Sequence, residues 1–472
     1  MDRRKRAVPL DAVLDMTPKN AASTRRRRLA CGILTSSASK FAAIAAQLLV
    51  LPMALHALGT GRYAAFLALQ AFLSWTSVFG FGLTPALPRA VAAANTAGDK
   101  GAQRDIILSA LLLVGGSSLL LGLGLVLFGL VVPPWVLVSA ASTISHAELW
   151  SAYLAAIAIA CCMLIVVMQP AIRSGYQQLH YANLWAVAAN LITVALLLTV
   201  GRSGTPDIGS FNLMANGPII PVLLLDLALL FWQRPYLLRG RIHFDSVRDM
   251  ILHQSTNALA VQVAFMLFAF FPIFAVSKLT TPLQTAQFAS MLQPMLMAMN
   301  GMNLVFQPMV SAFADAHSHR DIEWLKKGYR RFLTLVLAVG GFSAVTLVAI
   351  GPLLFRLWLH ADIGIDRLLC ASFACYFMLL LLCNYFFNIL SAVGQLRGLG
   401  RIYLLHGIAG IALGALLTTR LGPVGMTIGL ASGMAGVALY QLPRRVKFYF
   451  RNPSFPEGVG LPGAPAQPAG QV

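Results

Sequence analysis

The stretch IILSALLLVGGSSLLLGLGLVLFGLVV, residues 106–132, carries no charged side chain. A helix rises about 1.5 Å per residue, so this run can cross the roughly 30 Å hydrocarbon core of a bilayer. Similar runs recur along the whole chain. They place spans at 30–55, 64–88, 106–132, 149–172, 180–200, 211–232, 250–276, 285–311, 332–355, 367–391, 401–419 and 423–441. Composition agrees: 58% of the 472 residues are hydrophobic and only 11% are charged, against about 25% charged in soluble domains. Lipid cannot satisfy backbone N–H and C=O groups, so a spanning chain is either helical or a closed barrel. Long continuous apolar runs, rather than alternating segments of about ten residues, exclude the barrel. The expected fold is an all-α integral membrane protein of about twelve transmembrane helices.

The net charge is +19. The basic residues lie between apolar runs without the aromatic-and-basic pattern of a nucleic-acid module, so no nucleic acid is expected as a partner. With the N-terminus inside, 28 Lys and Arg fall in inner segments and 6 in outer ones, with Lys40 inside the first span. That asymmetry predicts cytoplasmic N- and C-termini and contact with anionic membrane lipids. The run after Arg25–Arg28, interrupted by Lys40 and reaching about Leu55, is too long for a signal peptide and reads as span one. The six cysteines (Cys31, Cys161, Cys162, Cys370, Cys375 and Cys383) form no metal-ligand or redox spacing and read as small apolar filler.

The chain also repeats weakly. Leu58-Gly59 matches Ser277-Lys278, Arg89 matches Pro308, and Arg173-Ser174-Gly175 matches Ala392-Val393-Gly394, each about 219 residues apart. Six spans per half gives both halves one orientation, hence a pseudo-two-fold axis along the membrane normal and a site at the lobe interface. The expected organisation is a disordered basic tail (1–28), an N-lobe (29–233), a basic cytoplasmic linker (234–249), a C-lobe (250–445) and a disordered Pro/Gly-rich tail (446–472).

Several polar residues inside spans are candidates for function. A charge near a span centre costs about 2.5–3.5 kcal/mol on insertion scales, so Lys40 either faces a polar cavity or snorkels to the cytoplasmic edge. Asp226, flanked by leucines in span six, can pair with Lys40, carry a coupling proton, or bond a neighbouring helix. Gln293, Asn300 and Gln307 recur every seven residues in span eight and share a face, with Asn303 close by. His253 and Asn257, and Asn384 and Asn388, lie one turn apart in spans seven and ten. Amides both donate and accept, which suits sugar hydroxyls; they also bond helices together. Arg89, Arg173, Arg397 and Arg401 cluster at inner span ends, where a guanidinium fork matches a diphosphate, or simply anchors the span. There is no P-loop, HExxH or GxSxG. No enzyme, cofactor or metal is therefore expected.

The segments Leu58-Gly59-Thr60-Gly61-Arg62-Tyr63 and Phe79-Gly80-Phe81-Gly82-Leu83-Thr84-Pro85-Ala86-Leu87-Pro88-Arg89, with Gly98-Asp99 beyond, resemble the first hairpin of bacterial O-antigen flippase-type polysaccharide exporters. These belong to the multidrug/oligosaccharidyl-lipid/polysaccharide (MOP) exporter superfamily. Ala64 stands where a second glycine is usual. The resemblance implies two six-helix lobes around a cationic cavity in the inner membrane. It implies flipping of an undecaprenyl-diphosphate-linked oligosaccharide by alternating access, for O-antigen, exopolysaccharide or capsule. Polysaccharide polymerase and glycosyltransferases would be partners. Lys40, Arg89 and Arg173 would attract the diphosphate, while Gln293, Asn300 and Gln307 would meet sugar. The alternatives are a cation-coupled multidrug antiporter of the same superfamily, a peptidoglycan-precursor flippase (which has fourteen spans) and a non-transporting scaffold for glycosyltransferases.

Overall fold

The structure is a computed structural model that describes residues 18–80, 83–138, 144–200, 206–239, 263, 266–267, 269–395 and 398–452. Among the described residues there is no strand. The chain divides into two units, Met1–Thr256 and Asn257–Val472. The first holds α1 (Pro18–Leu73), α2 (Leu83–Thr96), α3 (Lys100–Val131), α4 (His146–Val166), α5 (Met168–Gly175), α6 (Leu179–Val200), α7 (Ile208–Asn216) and α8 (Ile219–Gln233). The second holds α9 (Phe271–Leu279), α10 (Pro282–Ser318), α11 (Ile322–Leu359), α12 (Arg367–Ala392), α13 (Leu399–Leu421) and α14 (Pro423–Gly433). A π-helical turn, Met434–Ala438, then leads into α15 (Leu439–Arg451).

Nine described helical segments are long and apolar enough to cross a membrane. One of them, Ala38–Phe79, bends at Gly59 (φ 71°, ψ 168°), which separates two helical segments and makes it spans one and two. The amide-rich α10 supplies span eight. Span seven is described mainly at its end, in α9. The total is consistent with about twelve. Large apolar side chains such as Leu119, Phe342 and Leu416 are exposed, as a lipid-facing surface requires.

Acidic and hydroxyl side chains set the helix starts. Asp99, Ser145, Asp207, Thr281, Asp321 and Asp366 each accept from a backbone N–H in the first turn of α3, α4, α7, α10, α11 and α12. Such caps satisfy donors that the helix itself cannot. Thr281 and Gln284 complete a reciprocal capping box.

The two units share turn geometry. Before α3, Gly98 adopts φ 69° and Asp99 N–H donates to the Ala94 carbonyl; before α11, Arg320 adopts φ 60° and Asp321 N–H donates to the Ala316 carbonyl. After α5, Gln177 adopts φ 58° and Gln178 N–H donates to the Arg173 carbonyl; after α12, Gly394 adopts φ 75° and Gln395 N–H donates to the Leu390 carbonyl. The offset between copies is therefore not constant. It is slightly longer than expected at the first of these turns and slightly shorter at the second, so Arg173 corresponds to Leu390 rather than Ala392. In each unit, we call the end that carries these turns the basic side.

Glycines bring α13 and α14 together. A Cβ on Gly429 would lie 2.1 Å from the Gly414 backbone nitrogen and 2.2 Å from its Cα; one on Gly433 would lie 2.6 Å from the His406 carbonyl oxygen. Gly410 and Gly414 on one helix and Gly425, Gly429 and Gly433 on the other recur every four residues. Small residues at that spacing let backbones approach closely in lipid. The sequence analysis placed these spans by hydropathy and missed this motif.

Two expected tails differ. The helix of α1 begins at Pro18, so residues 18–28 extend span one instead of forming a loose arm. Residues 446–451 are helical in α15, because Leu442, Val446 and Tyr449 bury one face. Residues 1–17, 240–249 of the linker and 453–472 lie outside the described residues. Tyr449 on α15 meets His317 at the end of α10, with Oη 2.7 Å from Nδ1. Burial lowers the pKa of His317 from its usual 6.5 and pushes that of Tyr449 up to about 12. The folded pKa of His317 lies below the unfolded one, so its contribution is complete above pH 6.5 and is lost as pH falls through the folded value. Melting in detergent should show a Tm that drops between about pH 7 and pH 5, and the drop should be smaller in His317→Gln.

Candidate functional site

Among the described residues, the most deeply buried charges belong to Arg173 and Asp226, at 2% and 1% exposure. Arg173 ends α5 and Asp226 lies in α8, about two turns before that helix ends on the basic side. The guanidinium Nε donates to Asp226 Oδ2 at 3.0 Å and Nη2 donates to Oδ1 at 2.5 Å, a bidentate fork. Nη1 donates to Gln178 at 2.9 Å and Gln233 at 3.4 Å, and Nη2 also reaches the Asp226 carbonyl. Gln169, one turn before Arg173, donates to Asp226 Oδ2. Asp226 thus pairs with Arg173, and not with Lys40, while Arg173 is engaged within the first unit on every guanidinium nitrogen.

A second polar cluster lies one turn further out. Tyr176 and Tyr236 both donate to Gln103 Oε1, at 3.1 and 2.7 Å, and the Arg234 guanidinium stacks on the Tyr176 ring at 3.6 Å. The two clusters bind the basic ends of α3, α5 and α8 into one body.

Lys40 is exposed on α1. Asn183, in the first turns of α6, donates to Thr35 at 3.4 Å, which fixes the level of α1 against the basic side. Lys40 lies about 8 Å above Thr35 and about 27 Å below Leu58 by helical rise. By the same register Lys40 stands level with about Ala188, near the middle of α6. Arg89 is exposed on α2 and Arg401 on α13; Arg397, His253 and Asn257 lie outside the described residues. The residues of the first hairpin work inside the fold. Gly59 makes the bend, Tyr63 is fully buried, and Arg62 forms a bidentate pair with Glu148 at 2.8 and 2.9 Å.

The amides of the second unit converge partly. A pocket of about 190 Å³ between α10, α12 and α13 is lined by Asn300, Asn303, Asn384, Phe387, Tyr403 and His406, among others. Asn388 donates to both the carbonyl and the side-chain oxygen of Asn384 at 2.8 Å, holding that amide in place. Tyr403 donates to the Cys383 carbonyl at 2.9 Å and meets Phe387 and His406 edge-on, at 5.2 and 5.1 Å between ring centroids. Met434, first residue of the π turn, closes one wall. Among the described residues, no carboxylate, lysine or arginine lines this pocket. Gln293 and Gln307 are not among its lining residues; Gln293 is half-buried and Gln307 exposed. In the first unit Gln70, Asn212 and Asn216 form an amide chain at 2.8 Å per link that sequence reading did not single out. Among the described residues, no group of three His, Cys, Asp or Glu is placed to hold a metal.

This arrangement is that of a known transporter fold. An inward-facing multidrug resistance MATE family transporter of the MOP superfamily aligns with 87% of this chain and 96% of its own, at TM-score 0.66 and 16% identity. An outward-facing one aligns with 90% and 97%, at TM-score 0.63 and 16% identity. A MOP superfamily transporter from Pyrococcus furiosus, described as having a binding pocket of reversed polarity that suggests a different function, aligns with 89% and 96% at 0.62 and 16%. No family model matches the chain, and no curated protein matches it. The chain therefore has the multi-pass membrane fold of MOP superfamily transporters.

Proposed function

We propose that the chain is a secondary exporter of the MOP superfamily. It carries an amphipathic substrate across a bacterial inner membrane by alternating access, with both termini in the cytoplasm. The observation that carries this reading is the amide- and ring-lined pocket of the second unit, set in a fold shared with transporters over nearly the whole chain. The structural neighbours named above include MATE multidrug transporters, and this weighs toward multidrug export over the oligosaccharide lipid. The pocket shapes that reading. Its drugs would be held by stacking on Tyr403 and Phe387 and by hydrogen bonds to Asn300, Asn303 and Asn384, not by a carboxylate. Asp226, the carboxylate inside span six, is already paired with Arg173.

Transport of an undecaprenyl-diphosphate-linked oligosaccharide is the second reading. It is favoured by the hairpin around Gly59 and by amides that suit sugar hydroxyls. Exposed Lys40 and Arg89 would then meet the diphosphate. The Pyrococcus furiosus transporter supports letting the pocket, and not the fold, decide the substrate.

Deleting the gene in its host separates the two. New drug sensitivity with normal surface polymer supports the first reading. Lost polymer with accumulated lipid-linked oligosaccharide selects the second. No change in either, in a host without a second exporter, rejects both. Asn300→Leu/Asn384→Leu should express normally and reduce whichever activity is found by about tenfold or more, given roughly 1 kcal/mol or more for each lost polar contact.

A further inference from the structure

We propose that the exposed face of α15 is a binding site for the headgroups of anionic phospholipids. The helix is two-faced. Leu442, Val446 and Tyr449 are buried, and Phe450 packs on Tyr329 of α11. Tyr440, Arg444, Lys447, Phe448 and Arg451 are all exposed, and their spacing of three and four residues puts them on one outward stripe. Phe448 is 66% exposed and Tyr440 55%, large values for aromatic rings with partners available on the other face.

The charge on this stripe has one sign. No Asp or Glu occurs between Asp366 and Glu457, so α13, α14 and α15 carry none; where α10 and α11 pack on α15, Asp315 meets His319 at 3.5 Å, Asp321 caps α11 and Glu323 meets Lys327. The basic start of α11 differs: its Lys326, Lys327, Arg330 and Arg331 share the turn with Asp321 and Glu323, and Lys327 pairs with Glu323 at 3.6 Å. The Arg444 guanidinium lies 3.7 Å over the Tyr440 ring. Stacking holds it flat and leaves its N–H edge for a phosphate.

Depth selects the lipid. Twenty residues of helix cross the hydrocarbon core, so a span starting at Pro423 leaves it near Leu442. Arg444 and Lys447 then fall in the headgroup layer and Arg451 at its edge. Tyr440 lies at the interface, where aromatic rings are favoured. A stripe meant for an acidic soluble protein has no use for rings at that level, whereas a lipid surface accepts both.

The test uses the full-length protein in nanodiscs of phosphatidylcholine doped with phosphatidylglycerol, with bound phosphatidylglycerol counted by native mass spectrometry. Arg444→Gln/Lys447→Gln/Arg451→Gln should weaken retention by about fivefold per cation removed. Phe448→Ser should weaken it less. Arg330→Gln/Arg331→Gln, which removes charge elsewhere on the basic side, should leave it unchanged. The buried face of α15 is untouched in all of these, and a monodisperse elution profile confirms folding. Equal retention in the triple variant and the parent overturns the proposal. So does equal loss in the triple variant and the Arg330/Arg331 control, which would mean net charge alone. Capture of an acidic soluble protein that depends on the stripe, with phosphatidylglycerol retention unchanged, overturns it as well.

Discussion

Asp226→Ala should remove most of the folded protein, while Arg173→Leu/Asp226→Leu should restore it. Removing one member of a buried pair strands the other charge, which costs about 3–5 kcal/mol. That is a large part of the roughly 5–15 kcal/mol by which a protein is stable. Here the stranded group would be a guanidinium at 2% exposure. Replacing both with apolar groups removes the unpaired charge along with the pair, and such exchanges are often neutral. Gln178 and Gln233 lie near enough to the water on the basic side to find other partners. Elution profile and Tm in detergent read the result. If Asp226→Ala folds as well as the parent, the pair does not hold α5 to α8. The double variant also separates two roles of Arg173: if it folds and still transports, the arginine is a brace; if it folds and fails, the guanidinium serves the substrate as well.

Gly429→Val should be as severe, for a different reason. The new Cβ would meet the Gly414 backbone at 2.1 and 2.2 Å, and a backbone cannot rotate away as a side chain can. Overpacking against side chains costs about 1–3 kcal/mol; here the helices must separate, so the loss should exceed that range. Separation also releases the close contacts along Gly410, Gly425 and Gly433. Because α13 carries Tyr403 and His406 into the pocket, any surviving protein should lose transport. Gly115→Val on α3, where an added Cβ meets nothing within 4 Å, is the control and should melt within a few degrees of the parent. A Gly429→Val protein with parental Tm would show that α13 and α14 pack less closely than described.

Much of the fold was legible because hydrophobic length is a strong signal. The bend at Gly59 and the capped start at Asp99 follow directly from residue type. The partner of Asp226 was also within reach. Arg173 ends span four on the same side on which span six ends, two turns past Asp226, so topology alone makes them neighbours. Lys40 drew attention because a lysine inside an apolar run looks central, but hydropathy does not record which face of the helix carries it. The glycines of α13 and α14 were visible as letters, but their four-residue spacing was not picked out. The pocket was half legible: Asn300, Asn303 and Asn384 lay on the expected faces. Gln293 and Gln307 were grouped with Asn300 by periodicity, yet Pro294 and Pro308 lie within α10, and proline perturbs the regular helical spacing on which that grouping relied.

The left-handed turns on the basic side bear on descent. One copy has Gly98 where the other has Arg320, and one has Gln177 where the other has Gly394. Glycine survives in the first half at one turn and in the second half at the other. Each half thus holds a glycine that the other lacks. The simplest history is a duplication in which both turns already carried glycine, followed by independent drift. Each half then kept one original residue and lost the other. What was inherited intact is a backbone path, held by the same carbonyl contacts in both copies while the letters changed around it.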